Sequence, residues 1–287
     1  MKKTAILITG LFLFSLPKMF AGGGWPQLKA EGYFKLSQWW IVADQHYTDQ
    51  GLIDPNVTTG IFNTSFYGEY GFTDRITGVL YMPFFSRAFN NNLVSGTTGE
   101  VLVPGDAINS FGDTDVGIKI GLTKRGAPVA VAATILLGVP LGIQIGGSQN
   151  NLQTGDGEFN QLIKLDAGKS FGKAYGNAYL GFNNRSNGFS DEFHYGIEGG
   201  ISLANSKLWL IGRLYGISSF RNGDSSVGAN STSIFANNIE YTSYSVEATY
   251  KVQGNVGISA TIASAFRGEL VLAQPSYSVG VFFELKR

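Results

Sequence analysis

From Gly60 to Phe85 the chain alternates with a period of two, breaks once and alternates again, which defines two antiparallel strands and the turn between them. Phe62, Thr64, Phe66, Gly68 and Tyr70 share one face of the first strand, and Asn63, Ser65, Tyr67 and Glu69 share the other. After Gly71-Phe72-Thr73-Asp74, the second strand sets Ile76, Gly78, Leu80, Met82 and Phe84 against Arg75, Thr77 and Tyr81. One face of each strand is apolar and aromatic at its ends, while the opposite face carries charge and hydroxyls. Such a hairpin either lies half-buried on a soluble core or stands as two staves between oil and water.

The N-terminus bears on that choice. Lys2 and Lys3 precede an apolar run from Ala5 to Leu16, followed by Pro17, Lys18 and small residues from Ala21 to Gly24. The run is shorter than the roughly 20 residues a spanning helix needs, and its charge order is that of a cleaved secretory signal. We expect residues 1–21 to be this signal and residues 22–287 to form one exported domain. No later apolar stretch is long enough for a membrane helix, so the mature chain is either soluble outside the inner membrane or a barrel in the outer one.

The remaining sequence repeats the hairpin rhythm. Alternation recurs over Tyr33 to Val42, Asp115 to Leu122, Asn160 to Gly168, Ala174 to Asn183, Glu192 to Ile201, Leu208 to Leu214, Ser243 to Tyr250, Val256 to Ile262 and Tyr277 to Leu285. Val129 to Gly138 is apolar on both faces. Short connections near Gly71, Arg125, Lys173, Asn205 and Gln253 take turns with longer ones after Val42, Phe85, Leu141, Asn184, Ile217 and Phe266. That alternation of loop length is what a barrel with short inner turns and long outer loops produces. The predicted fold is all-β: a transmembrane antiparallel up-and-down β-barrel of about 12 strands, with every edge paired and none left open to lipid.

Composition removes several functions. The 21 basic and 21 acidic residues cancel, so no basic surface points to nucleic acid. Without cysteine there is no disulfide, thiolate metal site or lipid-anchoring cysteine. The glycine clusters Gly22-Gly23-Gly24 and Gly146-Gly147 precede no helix and do not read as phosphate cradles. A barrel hydrolase would need His46 or His194 beside a serine or paired acids. His46 has no evident partner, and His194 reads as structural among carboxylates. Thr154 to Glu158 matches no known calcium-loop spacing and reads as a hairpin turn. We therefore expect no enzyme, no cofactor and no metal.

The segments Gly68-Glu69-Tyr70-Gly71-Phe72-Thr73-Asp74-Arg75, Gly112-Asp113-Thr114-Asp115-Val116-Gly117-Ile118-Lys119, Thr154-Gly155-Asp156-Gly157-Glu158 and Gly188-Phe189-Ser190-Asp191-Glu192 resemble, in this order, a family of outer-membrane barrels named for its association with the meta-cleavage pathway of phenol degradation. The resemblance implies a barrel that moves small, aromatic or otherwise apolar, compounds, and it brings no catalytic residues. The chain departs from a common barrel habit by ending Phe283-Glu284-Leu285-Lys286-Arg287 rather than on an aromatic.

Parity along the strands directs Lys35, Glu69, Asp115, Lys119, Lys164, Asp166, His194, Glu198, Arg213 and Glu247 into the lumen. They either line a solute constriction or neutralise one another and hold the barrel's shape. Gly112-Asp113 with Lys119, and Glu192 with His194 and Glu198, are the predicted clusters. Trp39, Trp40, Phe66, Tyr70, Phe84, Tyr244 and Tyr250 read as an interfacial aromatic girdle. Twelve tilted strands enclose a backbone diameter on the order of 24 Å, leaving roughly 10 Å between side chains. With few residues between the leader and the first strand, a constriction is expected from inward side chains or a folded-in outer loop. The expected function is an outer-membrane channel or transporter for small organic solutes in a Gram-negative cell. The alternative is a non-conducting surface barrel whose outer loops bind a partner. The partners expected of the chain are outer-membrane lipid, the barrel assembly machinery and, for the channel, a small-molecule solute.

Overall fold

A computed structural model describes residues 22–227 and 234–287; the predicted leader lies outside the described residues. The strands are β1 (Gly32–Tyr47), β2 (Ile53–Gly71), β3 (Ile76–Asn90), β4 (Leu93–Val94), β5 (Val101–Val103), β6 (Asp106–Ser110), β7 (Thr114–Gly121) and β8 (Ala130–Val139). They continue as β9 (Asn160–Phe171), β10 (Ala174–Arg185), β11 (Glu192–Leu203), β12 (Leu208–Ser219), β13 (Glu240–Gln253), β14 (Val256–Glu269) and β15 (Ser276–Leu285). Twelve of them form a closed antiparallel ring in the order β1, β2, β3, β7 and then β8 to β15, with β15 returning to β1. Among the described residues there is no helix. Closure gives each of these strands a partner on both sides, the only way an all-β wall can satisfy its amides in hydrocarbon.

Alternation sorts the two surfaces. Leu165, Leu180, Ile197, Val246, Ile258 and Val281 stand on the exterior, each half or more exposed. Glu69, Lys119, Asp166, Asn177, Ser245 and Glu284 are buried inside. An apolar exterior around a polar interior is the inverse of a soluble barrel and the arrangement of one that crosses a membrane. One end carries the chain ends and the turns 72–75, 122–129, 172–173, 204–207 and 254–255; we call it the inner end. The outer end carries 48–52, 91–105, 140–159, 186–191, 220–227, 234–239 and 270–275.

Several strands run further than the alternation indicated. β1 continues past Val42 to Tyr47 and turns tightly through Thr48 to Leu52, where Thr48 and Leu52 share a backbone bond at 2.8 Å. Asp44, Gln45 and His46 break the apolar pattern because both faces of a strand are wet once it rises above the membrane. The connection after β3 contains the small β4–β5 hairpin and β6, which runs beside the outer part of β3. Trp39, predicted for the girdle, faces the lumen, because its partner across β1 and β2 is Asn63. Trp40 does lie outside, stacked on Tyr277 at 5.8 Å.

Candidate functional site

The register of closure brings together side chains that are remote in sequence. Lys119 Nζ donates to Glu69 Oε1 at 2.8 Å, and Glu69 also accepts from the Tyr67 hydroxyl at 2.6 Å and Gln27 Nε2 at 3.2 Å. Lys35 pairs with Glu247 at 2.9 Å; Arg213 joins Glu247 at 2.8 Å and Glu198 at 2.5 Å. Glu198 further accepts the Tyr175 hydroxyl at 2.6 Å. Lys164 lies 3.4 Å from Asp166 and 4.8 Å from the centre of the Tyr179 ring. Glu192 Oε2 meets His194 Nε2 at 2.9 Å. Asp115 stands opposite Tyr81 in the register. Opposite charges so paired neutralise one another, which is what a narrow, poorly solvated lumen requires.

The predicted groupings are thus redrawn. Lys119 goes to Glu69 rather than to Asp113, and Glu198 goes to Arg213 rather than to His194. Both changes have one cause. Partners come from neighbouring strands: Arg213 is the ladder partner of Glu198, and Lys119 reaches Glu69 across β3.

The inner end is crossed by residues 22–31, a strap the sequence did not disclose. Gly24 N–H donates to Asn177 Oδ1 at 3.1 Å on β10, while Gln27 N–H donates to Thr77 Oγ1 at 2.8 Å on β3. Trp25 meets Tyr175 edge-on at 6.0 Å, and Gly168 leaves the space its indole fills. Since β2 and β10 lie nearly opposite in the ring, this short peptide reaches across the lumen. Below it opens a cavity of about 550 Å³ rimmed by Glu31, Lys124, Arg125, Lys169, Glu284 and Lys286. The expectation that only side chains or an outer loop would narrow the lumen is corrected by this strap.

The outer end is narrowed by residues 140–159. The hairpin turn expected at Thr154 to Glu158 is folded inward instead, around Gly157 at φ +73°, and both of its acids reach Arg185. Arg185 Nε donates to Glu158 at 2.5 Å, Nη1 to Glu192 at 2.6 Å and Nη2 to Asp156 at 3.1 Å, with Phe189 beneath the guanidinium at 4.4 Å. From β7's side, Asp113 accepts the N–H of Gly142 at 2.9 Å and of Asp156 at 2.8 Å. One cation therefore faces three carboxylates, with a fourth close by. Burial and the neighbouring charges of Glu158 and Asp113 push the Asp156 carboxyl up from its ordinary 3.8 to about 8, against the pull of Arg185.

A pH dependence follows. A carboxyl whose pKa is raised only in the folded-in loop stabilises that loop fully below the free value and loses the contribution as pH climbs to the raised value. Release of the folded-in loop should therefore increase from about pH 4 to about pH 8 and level off above it. Asp156→Asn should flatten the profile, as protease cleavage of the loop across that range would show.

Opposite this charged wall the outer lumen is apolar. Ile41, Ala43, Ile61 and Leu272 form a buried cluster against which Trp39, Ile234 and Phe235 pack. Val271, Ala236, Ile239 and Tyr47 form a second cluster. The apolar stretch Glu269 to Ala273 is thereby folded inward, with Ala273 N–H bonded to Gln45 at 3.0 Å.

No family model matches the chain, and no curated protein matches it in sequence. Among solved structures it resembles an outer membrane channel from Pseudomonas putida F1, with a TM-score of 0.62 and 14% identity over 93% of this chain and 100% of that one. It also resembles the beta domain of the Bordetella autotransporter BrkA, with a TM-score of 0.50 and 12% identity over 89% of this chain and 99% of that one. Fold and interior together define the class: a closed twelve-stranded antiparallel barrel with the architecture of outer-membrane barrels.

Proposed function

We propose that the chain is an outer-membrane channel for small organic solutes, closed at rest by the inner strap and the folded-in outer loop. The observation that carries this reading is that both closures are peptide segments held by polar contacts, the Gly24, Gln27, Lys29 and Ala30 bonds below and the Arg185 cluster with the Asp113 bonds above. Between them most of the wall charges are already paired, so a solute meets chiefly hydroxyls, amides and an apolar flank. Small uncharged or weakly polar organic compounds suit that lining better than ions. The likeness to an outer membrane channel supports the reading, as does the lumen of roughly 10 Å expected of twelve tilted strands, too narrow for a folded protein.

Reconstitution tests it. Liposomes containing the chain with Arg185→Met, Trp25→Gly and Gln27→Gly, which unlatch both closures, should swell faster than empty ones in small sugars and amino acids. Equal rates for every solute would reject the proposal.

A further inference from the structure

The chain is neutral as a whole, yet its charges are sorted by end. Successive inner turns carry exposed cations: Arg75 between β2 and β3, Lys124 and Arg125 between β7 and β8, Lys173 between β9 and β10, and Lys207 between β11 and β12. In the order of the ring these turns follow one another over most of the circumference. Among the described residues none of these side chains forms an ion pair. The acids of the inner turns and chain ends are Glu31 on the strap, Asp74, which accepts the Lys29 N–H at 3.0 Å, and Glu284, buried against Lys251 and Lys286.

Each of these turns also sets a large apolar side chain on the lipid-facing wall a few residues before its cation. Phe72 precedes Arg75, Leu122 precedes Lys124, Phe171 precedes Lys173 and Leu203 precedes Lys207, and these apolar side chains are all 40% or more exposed. Lys169, on the same lipid-facing side of β9 as Phe171, holds its ammonium 5.4 Å above that ring. A long cation standing over an apolar neighbour lays its stem against hydrocarbon and delivers its charge at headgroup level. The outer end is the reverse. Asp44, Asp49, Asp54, Glu100 and Asp224 are exposed there, and of its cations Arg185 and Arg221 are taken up by carboxylates.

We infer that the inner rim is a binding surface for anionic glycerophospholipid of the phosphatidylglycerol kind. Acyl chains lie along Phe72, Leu122, Phe171 and Leu203, and the headgroup phosphate meets the cation of the same turn. A lipid with net negative charge is drawn to such a rim, whereas the ammonium of a zwitterionic headgroup offsets most of the attraction. A soluble acidic protein would meet the same cations but would leave the neighbouring apolar side chains without a partner of their own kind. Bound at successive turns, these lipids fix the depth of the barrel, with its short turns in the inner leaflet. This surface is separate from the solute path and is occupied whether or not the lumen is open.

Spin-labelled phosphatidylglycerol and spin-labelled phosphatidylcholine test it, each added in trace amount to phosphatidylcholine vesicles that hold the purified barrel. The motionally restricted part of each spectrum reports the lipid bound at the protein surface. The expected result is a several-fold preference for phosphatidylglycerol in the native barrel. Arg75→Gln, Lys124→Gln, Arg125→Gln, Lys173→Gln and Lys207→Gln together should bring the two lipids level, while Arg87→Gln with Arg267→Gln at the outer end should leave the preference in place. Equal binding of the two lipids by the native barrel would overturn the inference, as would a preference that survives the inner substitutions or is lost with the outer ones. Displacement of the bound label by glycerol phosphate or polyglutamate would assign the rim to a soluble anion and overturn the lipid as its partner. Should the combined variant fail to fold, Lys124→Gln with Arg125→Gln and Lys173→Gln with Lys207→Gln are made as separate pairs. Each pair should then lose part of the preference, and no loss in either would overturn the lipid surface.

Discussion

Replacing Arg185 with methionine is expected to free residues 140–159 from the lumen and raise the conductance several-fold. Among the described residues the guanidinium is the one partner shared by Asp156, Glu158 and Glu192, and all three carboxylates are largely withdrawn from water. Removing one member of a buried ionic cluster typically costs about 3–5 kcal/mol, because the charges left behind are neither solvated nor paired. The loop can escape that penalty by swinging outward, where its carboxylates regain water. Arg185→Lys should fall between, since an ammonium keeps the charge but cannot address three carboxylates with a planar fork. Single-channel recording checks the conductance, and protease added from outside should cleave within 140–159 in the methionine variant far sooner than in the native chain. Unchanged current and unchanged cleavage would show that the loop is held by something other than Arg185.

The second large effect is expected at the inner end. Trp25→Gly combined with Gln27→Gly removes the indole packed on Tyr175 and Gly168 and the amide bonded to Glu69. The Lys29 and Ala30 bonds to Asp74 and Gly71 then still tie the strap's end beside β1, but across the lumen only the Gly24 and Gln27 backbone bonds remain, too little to fix a glycine-rich peptide there. Conductance should rise, with little change in the barrel itself, because Glu69 keeps Lys119 and Tyr67 as partners. Thermal melting of the purified protein should therefore stay close to native while the current grows. A large fall in melting temperature would instead make the strap part of the barrel's framework.

The two closures differ in how far the sequence reveals them. Side-chain parity is local, so the inward placement of Glu69, Lys119, Arg213 and Glu247 is legible from each strand by itself. Their partners are not, because Lys35 meets Glu247 only through the register in which the first strand closes against the last. Asp156 and Glu158 sit in a Gly-Asp-Gly-Glu stretch whose chemistry is that of a turn, and turn chemistry does not say which way the turn points. The missing signal was Arg185. Extending the alternation of β10 past Asn183 places it inward, alone among carboxylates at the outer rim. Trp25 had no such signal, since a single indole ahead of the first strand has no periodicity to read. The register shift between β2 and β3 was half legible, because Pro83 inside an otherwise regular strand already marks an irregular wall.

The most direct measurement is single-channel current through the purified chain in a planar bilayer, recorded beside the variant carrying Arg185→Met, Trp25→Gly and Gln27→Gly. A lumen closed by a strap below and a loop above predicts small or brief steps from the native chain and steady, several-fold larger steps from the variant. Equal currents from the two proteins, or none from either, would contradict it.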